Sequence, residues 1–152
     1  LAGAWLAVTT GNRLAAIDLT AARGDITGTD AVRWAVDRDT PYVPSPVLSD
    51  GLLYLLKGNN GILTSLDAET GARHYGPARL RGIRSVYASP VVAADRLYVT
   101  SREGTTVVLR TGPALEVLAT NTLDDEFDAS PAAVDGELYL RGARFLYCIA
   151  AD

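Results

Sequence analysis

Few side chains in this sequence are of types that do chemistry, and their spacing limits what they can do. His74 is the single histidine. A Ser-His-Asp triad would have to use it, yet no nucleophile-elbow spacing is present, so His74 reads as a surface or packing residue. The acidic cluster Asp124-Asp125-Glu126-Phe127-Asp128 offers the oxygen ligands that Ca²⁺ takes. It lacks the regular Asp-x-Asp-x-Asp-Gly loop, and is expected to be a solvated connection. Asp25, Thr27 and Asp30 are read in the same way. Cys148 has no second cysteine to pair with and lies in the apolar run Phe145-Leu-Tyr-Cys-Ile149, so it is expected to be a buried small hydrophobe. No glycine-rich loop precedes a helical pattern in the manner of a phosphate site. The sequence therefore assigns no catalytic residue, no metal ligand and no cofactor.

Composition narrows the partners. The formal charge is −4 and none of the 14 basic residues forms a run, which argues against a nucleic-acid binder, since phosphate contacts need clustered Lys and Arg. With 152 residues, 48% of them hydrophobic, the chain can bury a sizeable core, but no stretch approaches the roughly 18 apolar residues of a membrane span. There is no methionine and no charged-then-apolar leader, so any export signal is expected to lie outside this chain.

What positions these residues is a repeat. Ser45-Pro46-Val-Leu-Ser-Asp50-Gly51-Leu-Leu53-Tyr54, Ser89-Pro90-Val-Val-Ala-Ala-Asp95-Arg-Leu97-Tyr98 and Ser130-Pro131-Ala-Ala-Val-Asp135-Gly136-Glu-Leu138-Tyr139 align without gaps. The prolines fall 44 and 41 residues apart, the spacing of a four-stranded propeller blade. Each Ser-Pro opens a short apolar strand, where proline is tolerated because the first residue need not donate to the ladder. Asp50-Gly51, Ala94-Asp95 and Asp135-Gly136 supply hairpin turns. Further strands are expected over 52–57, 61–67 and near 73–75 in one repeat, and over 96–101, 105–110 and 114–120 in the next. The matched tyrosines Tyr54, Tyr98 and Tyr139 point to packing between repeats.

The expected fold is thus all-β, a β-propeller of four-stranded antiparallel blades present as a partial propeller. Blades over 45–80 and 89–120 are complete. Partial blades over 4–36 and 130–149 lack a first and a fourth strand, and a polar insertion spans 20–30. The whole of 1–152 is expected to be one repeat domain within a larger propeller, completed by the remaining blades or by self-association of two arcs.

Leu66-Asp67-Ala68-Glu69-Thr70-Gly71, with Gly58-Asn-Asn-Gly61 and the Ser-Pro strands, resembles the repeat of the pyrroloquinoline-quinone-like β-propellers. Asp39-Thr-Pro-Tyr-Val-Pro-Ser-Pro46, Gly104-Thr-Thr-Val-Val-Leu109 and Leu138-Tyr-Leu-Arg-Gly142 through Leu146-Tyr-Cys-Ile149 further resemble the C-terminal blades of bacterial exported propellers, grouped with the propeller lipoprotein of the outer-membrane β-barrel assembly machinery. The resemblance implies a periplasmic scaffold that binds proteins or peptides; the alternative it leaves open is part of a quinone-dependent dehydrogenase. Several residues depart from the dehydrogenase pattern. Its repeats end Gly-x-x-x-Trp, where the Trp docks one blade on the next; this chain has Gly71-Ala-Arg-His74-Tyr75, and Arg110 where the previous repeat has Asp67. Trp34 alone keeps the ring. One cysteine cannot make the adjacent pair that such enzymes place over the quinone.

Between the repeats, the segments before each Ser-Pro diverge: Asp37-Arg38-Asp39-Thr-Pro-Tyr42-Val-Pro44, Arg81-Gly-Ile-Arg84-Ser-Val-Tyr87, and Asp124 to Asp128. Charge and aromatics gather there, on one rim beside the expected channel. Arg38, Asp39, Tyr42, Arg84, Tyr87, Asp125 and Phe127 form the expected partner-binding set, with Tyr42, Tyr87 and Phe127 as matched bulky residues.

Overall fold

The computed structural model describes residues 5–10 and 12–150. All of its regular structure is strand, in four antiparallel sheets that follow one another along the chain. The first holds β1 (Trp5–Thr10), β2 (Arg13–Asp18) and β3 (Val32–Val36); the second β4 (Val47–Ser49), β5 (Leu52–Leu56), β6 (Ile62–Asp67) and β7 (Arg73–Arg79). The third holds β8 (Val91–Ala93), β9 (Arg96–Thr100), β10 (Thr105–Arg110) and β11 (Val117–Thr122); the fourth β12 (Ala132–Val134), β13 (Glu137–Arg141) and β14 (Leu146–Ala150). Two blades are complete and two incomplete, as the repeat implies. Chain order and spatial order coincide within every sheet, so each blade is a simple meander.

The turns form where their residues allow. Asp50-Gly51, Ala94-Asp95 and Asp135-Gly136 all have positive φ, between 47° and 84°. Two consecutive left-handed residues are what a tight two-residue hairpin requires, because that backbone twist matches the flanking strands. The insertion over 20–30 is closed at its base: the Asp18 N–H donates to the Ala31 carbonyl, and Asp18 Oδ1 accepts from the Thr20 N–H and hydroxyl. The outer strands differ most from expectation. The outer strand β7 runs on to Arg79, and β11 starts at Val117 because Arg110 bonds across a wide turn to Glu116 through its own N–H and, at 2.8 Å, through its guanidinium.

Successive blades are joined at the inner strands by a serine ladder. The Ser45 N–H donates to Ser89 Oγ at 2.9 Å, and the Ser89 N–H donates to Ser130 Oγ at 2.9 Å. The repeated Ser-Pro thus has two uses: proline starts the strand, and serine offers the acceptor that the preceding blade's backbone needs.

The core lies between the sheets. Tyr54, Leu56 and Leu63 of the second blade meet Leu97, Val99, Val107 and Leu109 of the third, with Leu80, Ile83 and Val86 closing the top. Leu14, Trp34 and Val36 of the first blade meet Leu53, Leu55 and Leu66 of the second. Alternation along each strand explains this: even-numbered residues of β5 face one neighbour, odd-numbered residues the other. Two polar hooks fix the docking. Trp34 Nε1 donates to the Ala68 carbonyl at 3.0 Å, its ring lying on Gly71, where an added Cβ would approach the indole to 2.7 Å. Tyr54 reaches the next blade's turn, its hydroxyl accepting the Gly112 N–H at 2.7 Å.

Tyr98 occupies Tyr54's place in the third blade, but among the described residues its hydroxyl has no hydrogen-bond partner. Tyr54→Phe is therefore expected to cost about 1 kcal/mol in urea denaturation, since it strands a half-buried N–H, whereas Tyr98→Phe should shift stability by no more than a few tenths. Equal effects of the two substitutions would contradict the docking role given to Tyr54.

Candidate functional site

The rim that receives the divergent loops also carries the hairpins between the second and third strands of the second, third and fourth blades, and hydrogen bonds lock the two together. The Gly58 N–H donates to the Thr40 carbonyl, the Arg102 N–H to Ser85 and the Ala143 N–H to Glu126. These three bonds recur at equivalent places and set the register of the loops. Thr40, Ser85 and Glu126 correspond, and so, one residue on, do Pro41, Val86 and Phe127.

That register corrects the sequence alignment of the loops. Phe127 is 1% exposed and Val86 0%, so both are plugs pointing under the blades; Pro41 is buried as well. The residues that match across the rim are Tyr42, Tyr87 and Asp128. Matching by bulk put Phe127 with the two tyrosines, although the second and third loops have equal length, Tyr87-Ala-Ser89 against Asp128-Ala-Ser130, and the first holds one residue more, Tyr42-Val-Pro-Ser45. Phe127 leaves the set of exposed anchors for a packing role, its ring 5.7 Å from that of Tyr147.

Asp125 leaves it too. Its side chain is 1% exposed and is turned into the hairpin between β13 and β14. The carboxylate accepts from the N–H groups of Glu126, Arg144 and Phe145 and from the Tyr147 hydroxyl, at 2.8–3.2 Å. Gly142 makes the space, since a Cβ there would come within 2.3 Å of Asp125 Oδ2. Burial pushes this carboxyl up, but the four donations outweigh it and hold Asp125 below the ordinary aspartate value of 3.8. The neighbouring acids are also engaged: Asp124 pairs with Arg144 at 3.1 Å, and Asp128 with Arg102 at 2.5 Å. Asp124, Glu126 and Asp128 stay exposed, as expected of a solvated connection, whereas Asp125 is buried and clamps the loop to its own blade's hairpin.

The exposed part of the rim is built on the first two loops. Tyr42 is 76% exposed, yet its backbone is held: Pro41 bridges to Gly58, and the Val43 N–H donates to Asn59 Oδ1 at 3.1 Å. Asp39, at φ 59°, pairs with Lys57 at 2.8 Å. The hydrogen bond from Lys57 holds its carboxyl below the usual value. Arg38 and Arg84 are exposed. Tyr87, 38% exposed, carries the guanidinium of Arg102 4.4 Å above its ring, a stacked cation that also reaches Asp128. Sequence reading missed Arg102, Lys57 and Asn59. Their signal was present, in that each hairpin lies a fixed distance after its own Ser-Pro, but which hairpin faces which loop depends on the blade geometry.

Elsewhere, His74 lies exposed on β7 with Nε2 3.9 Å from Asp67, whose carboxyl is held below its usual value chiefly by Thr70. Cys148 is exposed rather than buried. It sits on β14, the outermost strand of the fourth sheet, opposite Tyr139 on the face turned away from the third blade. Among the described residues, no further blade covers that face.

Meander sheets that follow one another, joined at their inner strands and docked face to face, define a β-propeller arc of two complete and two incomplete blades. Among solved structures the chain is similar to BamB from Moraxella catarrhalis, with a TM-score of 0.69 at 23% identity over 95% of this chain. It covers 42% of that BamB chain, so it spans less than half of its length. It is equally similar, at a TM-score of 0.69 and 13% identity, to the computationally designed Ika4 protein, covering 100% of this chain and 94% of that one. No family model and no curated protein matches the sequence. At these identities the likeness establishes the fold, and the fold agrees with the resemblance read from the repeat.

The buried carboxylate yields a pH test. A depressed folded value means that Asp125 stabilises fully above pH 3.8 and that this contribution is lost as pH falls through its folded value. Asp125→Asn, which puts an amide NH₂ against at least two of these donors whichever oxygen it replaces, should lower the urea midpoint at pH 7 and flatten the acid loss below pH 3.8. A variant with an unchanged midpoint and unchanged acid profile would contradict the clamp.

Proposed function

We propose that this chain is a binding module: a propeller arc that presents the Arg38, Asp39, Tyr42, Arg84 and Tyr87 rim to a protein or peptide partner, without catalysis of its own. The observation that carries the reading is Tyr42. A tyrosine 76% exposed on a backbone held by the Gly58 and Asn59 contacts presents a large ring whose frame is already ordered, so that little entropy is lost when a partner covers it. Its equivalent Tyr87 is likewise ordered by the stacked Arg102. Tyrosine and arginine are the residue types that most often dominate binding energy, and exposed Val43 beside Tyr42 extends the apolar contact.

The resemblance to exported bacterial propellers supports a periplasmic setting and a place for this chain within a larger propeller. The dehydrogenase alternative gains nothing from the rim: Asp39, Asp125 and Asp128 are engaged by Lys57, by backbone N–H groups and by Arg102, and its rings are arranged as contact surface.

The test is a peptide selection. Peptides enriched from a displayed library against the chain should lose affinity by about 1 kcal/mol or more with Tyr42→Ala and with Tyr87→Ala, and by less with Arg84→Ala. Melting temperatures of the Tyr42 and Arg84 variants should stay within about one degree of the parent, because those side chains bury little. Selected peptides indifferent to all three substitutions would overturn this placement of the surface.

A further inference from the structure

Asn59 joins the first two loops of the rim into one surface. Its side-chain Oδ1 accepts the Val43 N–H at 3.1 Å, and its carbonyl accepts the Val86 N–H at 2.9 Å. Tyr42 precedes the first of these donors and Tyr87 follows the second, so the two exposed rings flank a single asparagine. The charges around them are unevenly paired. Asp37 pairs with Arg13 at 3.2 Å, Asp39 with Lys57 at 2.8 Å and Asp128 with Arg102 at 2.5 Å. Arg38 adjoins Asp39, and Arg84 precedes Ser85, whose carbonyl is fixed by the Arg102 N–H. Both are exposed, as is Arg81 at the start of the second loop, and none of the three has an ion-pair partner among the described residues. Exposed Glu103 opposes them, its carboxylate turned to the Ser85 N–H at 3.5 Å. Three free guanidinium groups against one acid leave this part of the rim cationic in a chain whose formal charge is −4.

We propose that the first two loops of the rim bind an acidic peptide segment, one in which Asp or Glu residues stand beside bulky apolar ones. Charge complementarity selects the acid: a guanidinium is planar and takes a carboxylate through two parallel hydrogen bonds, and Arg38 and Arg84 hold their donors in solvent with no internal acceptor to give up. The rings of Tyr42 and Tyr87 select the apolar neighbours, since each covers a partner side chain at small entropic cost on a frame already held by Asn59. The third loop bounds the site. Its Asp124 and Glu126 are exposed, and like charges placed against them disfavour an acidic segment that strays that far. This partner class rests on the rim being the binding surface, as proposed above, and adds the charge of what it binds.

The probe is a displayed library of random short peptides, selected on the intact chain. Enriched peptides should be more acidic than the unselected pool. In synthetic copies, each Asp→Asn or Glu→Gln replacement at a paired carboxylate should weaken binding about threefold, the range of an exposed ion pair. Arg38→Glu combined with Arg84→Glu should weaken it about tenfold, because repulsion replaces attraction, and should leave the urea midpoint unmoved. Glu103→Gln, which removes the opposing acid, should strengthen it. Enriched peptides that are neutral or basic, yet lose affinity with Tyr42→Ala, would overturn the acidic partner and leave the rim as the binding surface. Peptides indifferent to Tyr42→Ala and to both arginine substitutions would overturn the rim reading and this one together. Displacement of acidic peptides by short single-stranded DNA of equal charge would overturn the proposal too, since it would mark an attraction to any polyanion.

Discussion

Everything in this structure depends on burying both faces of each blade. A four-stranded meander has two faces and little thickness, so it cannot hold a core by itself. Its apolar residues become a core only when another blade covers them. The sequence meets that demand with the period-2 alternation of β5, β9 and β13, which sends one set of side chains backward and the other forward, and with bulky residues that lock into the neighbour: Trp34 over Gly71, Tyr54 into the turn at Gly112. The first interface is closed by an indole, the second by two tyrosines and several leucines.

The rim obeys a related division of labour. Backbone hydrogen bonds from each hairpin to the loop before Ser-Pro are the same in three blades, and the residue just after each bonded carbonyl is a buried plug: Pro41, Val86 or Phe127. Such a frame leaves the next residue free to differ, and it does, as Tyr42, Tyr87 and Asp128. The third loop turns Asp125 inward to clamp the last hairpin, while the exposed Asp128 joins Arg102 to the rim around Tyr87. Charge that looks like solvated surface in one dimension becomes a structural fastener once two blades face each other.

Strand positions, turns and blade grammar were legible in the sequence because they rest on local rules: Asp-Gly pairs that accept positive φ, proline at strand starts, and alternation of apolar residues. The gapless repeat made the architecture legible too, since equal intervals between Ser-Pro pairs require equal structural units. The docking role of Trp34 is what the family resemblance implies for the ring that closes the repeat. Exposure of individual side chains was not. Phe127 and Cys148 both sit in sequence contexts that misled, Phe127 because its ring matches the tyrosines in bulk while lying one residue earlier than Tyr87 relative to Ser-Pro, and Cys148 because an apolar run on an outermost strand looks the same as one in a core.

By itself, then, the sequence determined a propeller arc of four blades, two of them incomplete, and the rim on which its variable loops lie. Tertiary structure alone decided which loop residues face out, that Arg102 stacks on Tyr87, and that the Asp125 carboxylate is turned inward. The physical reason is range. Strands and turns follow from forces acting over a few residues, which a sequence displays directly, whereas burial and pairing join side chains about 20 to 40 positions apart whose meeting depends on how one twisted sheet stacks on the next.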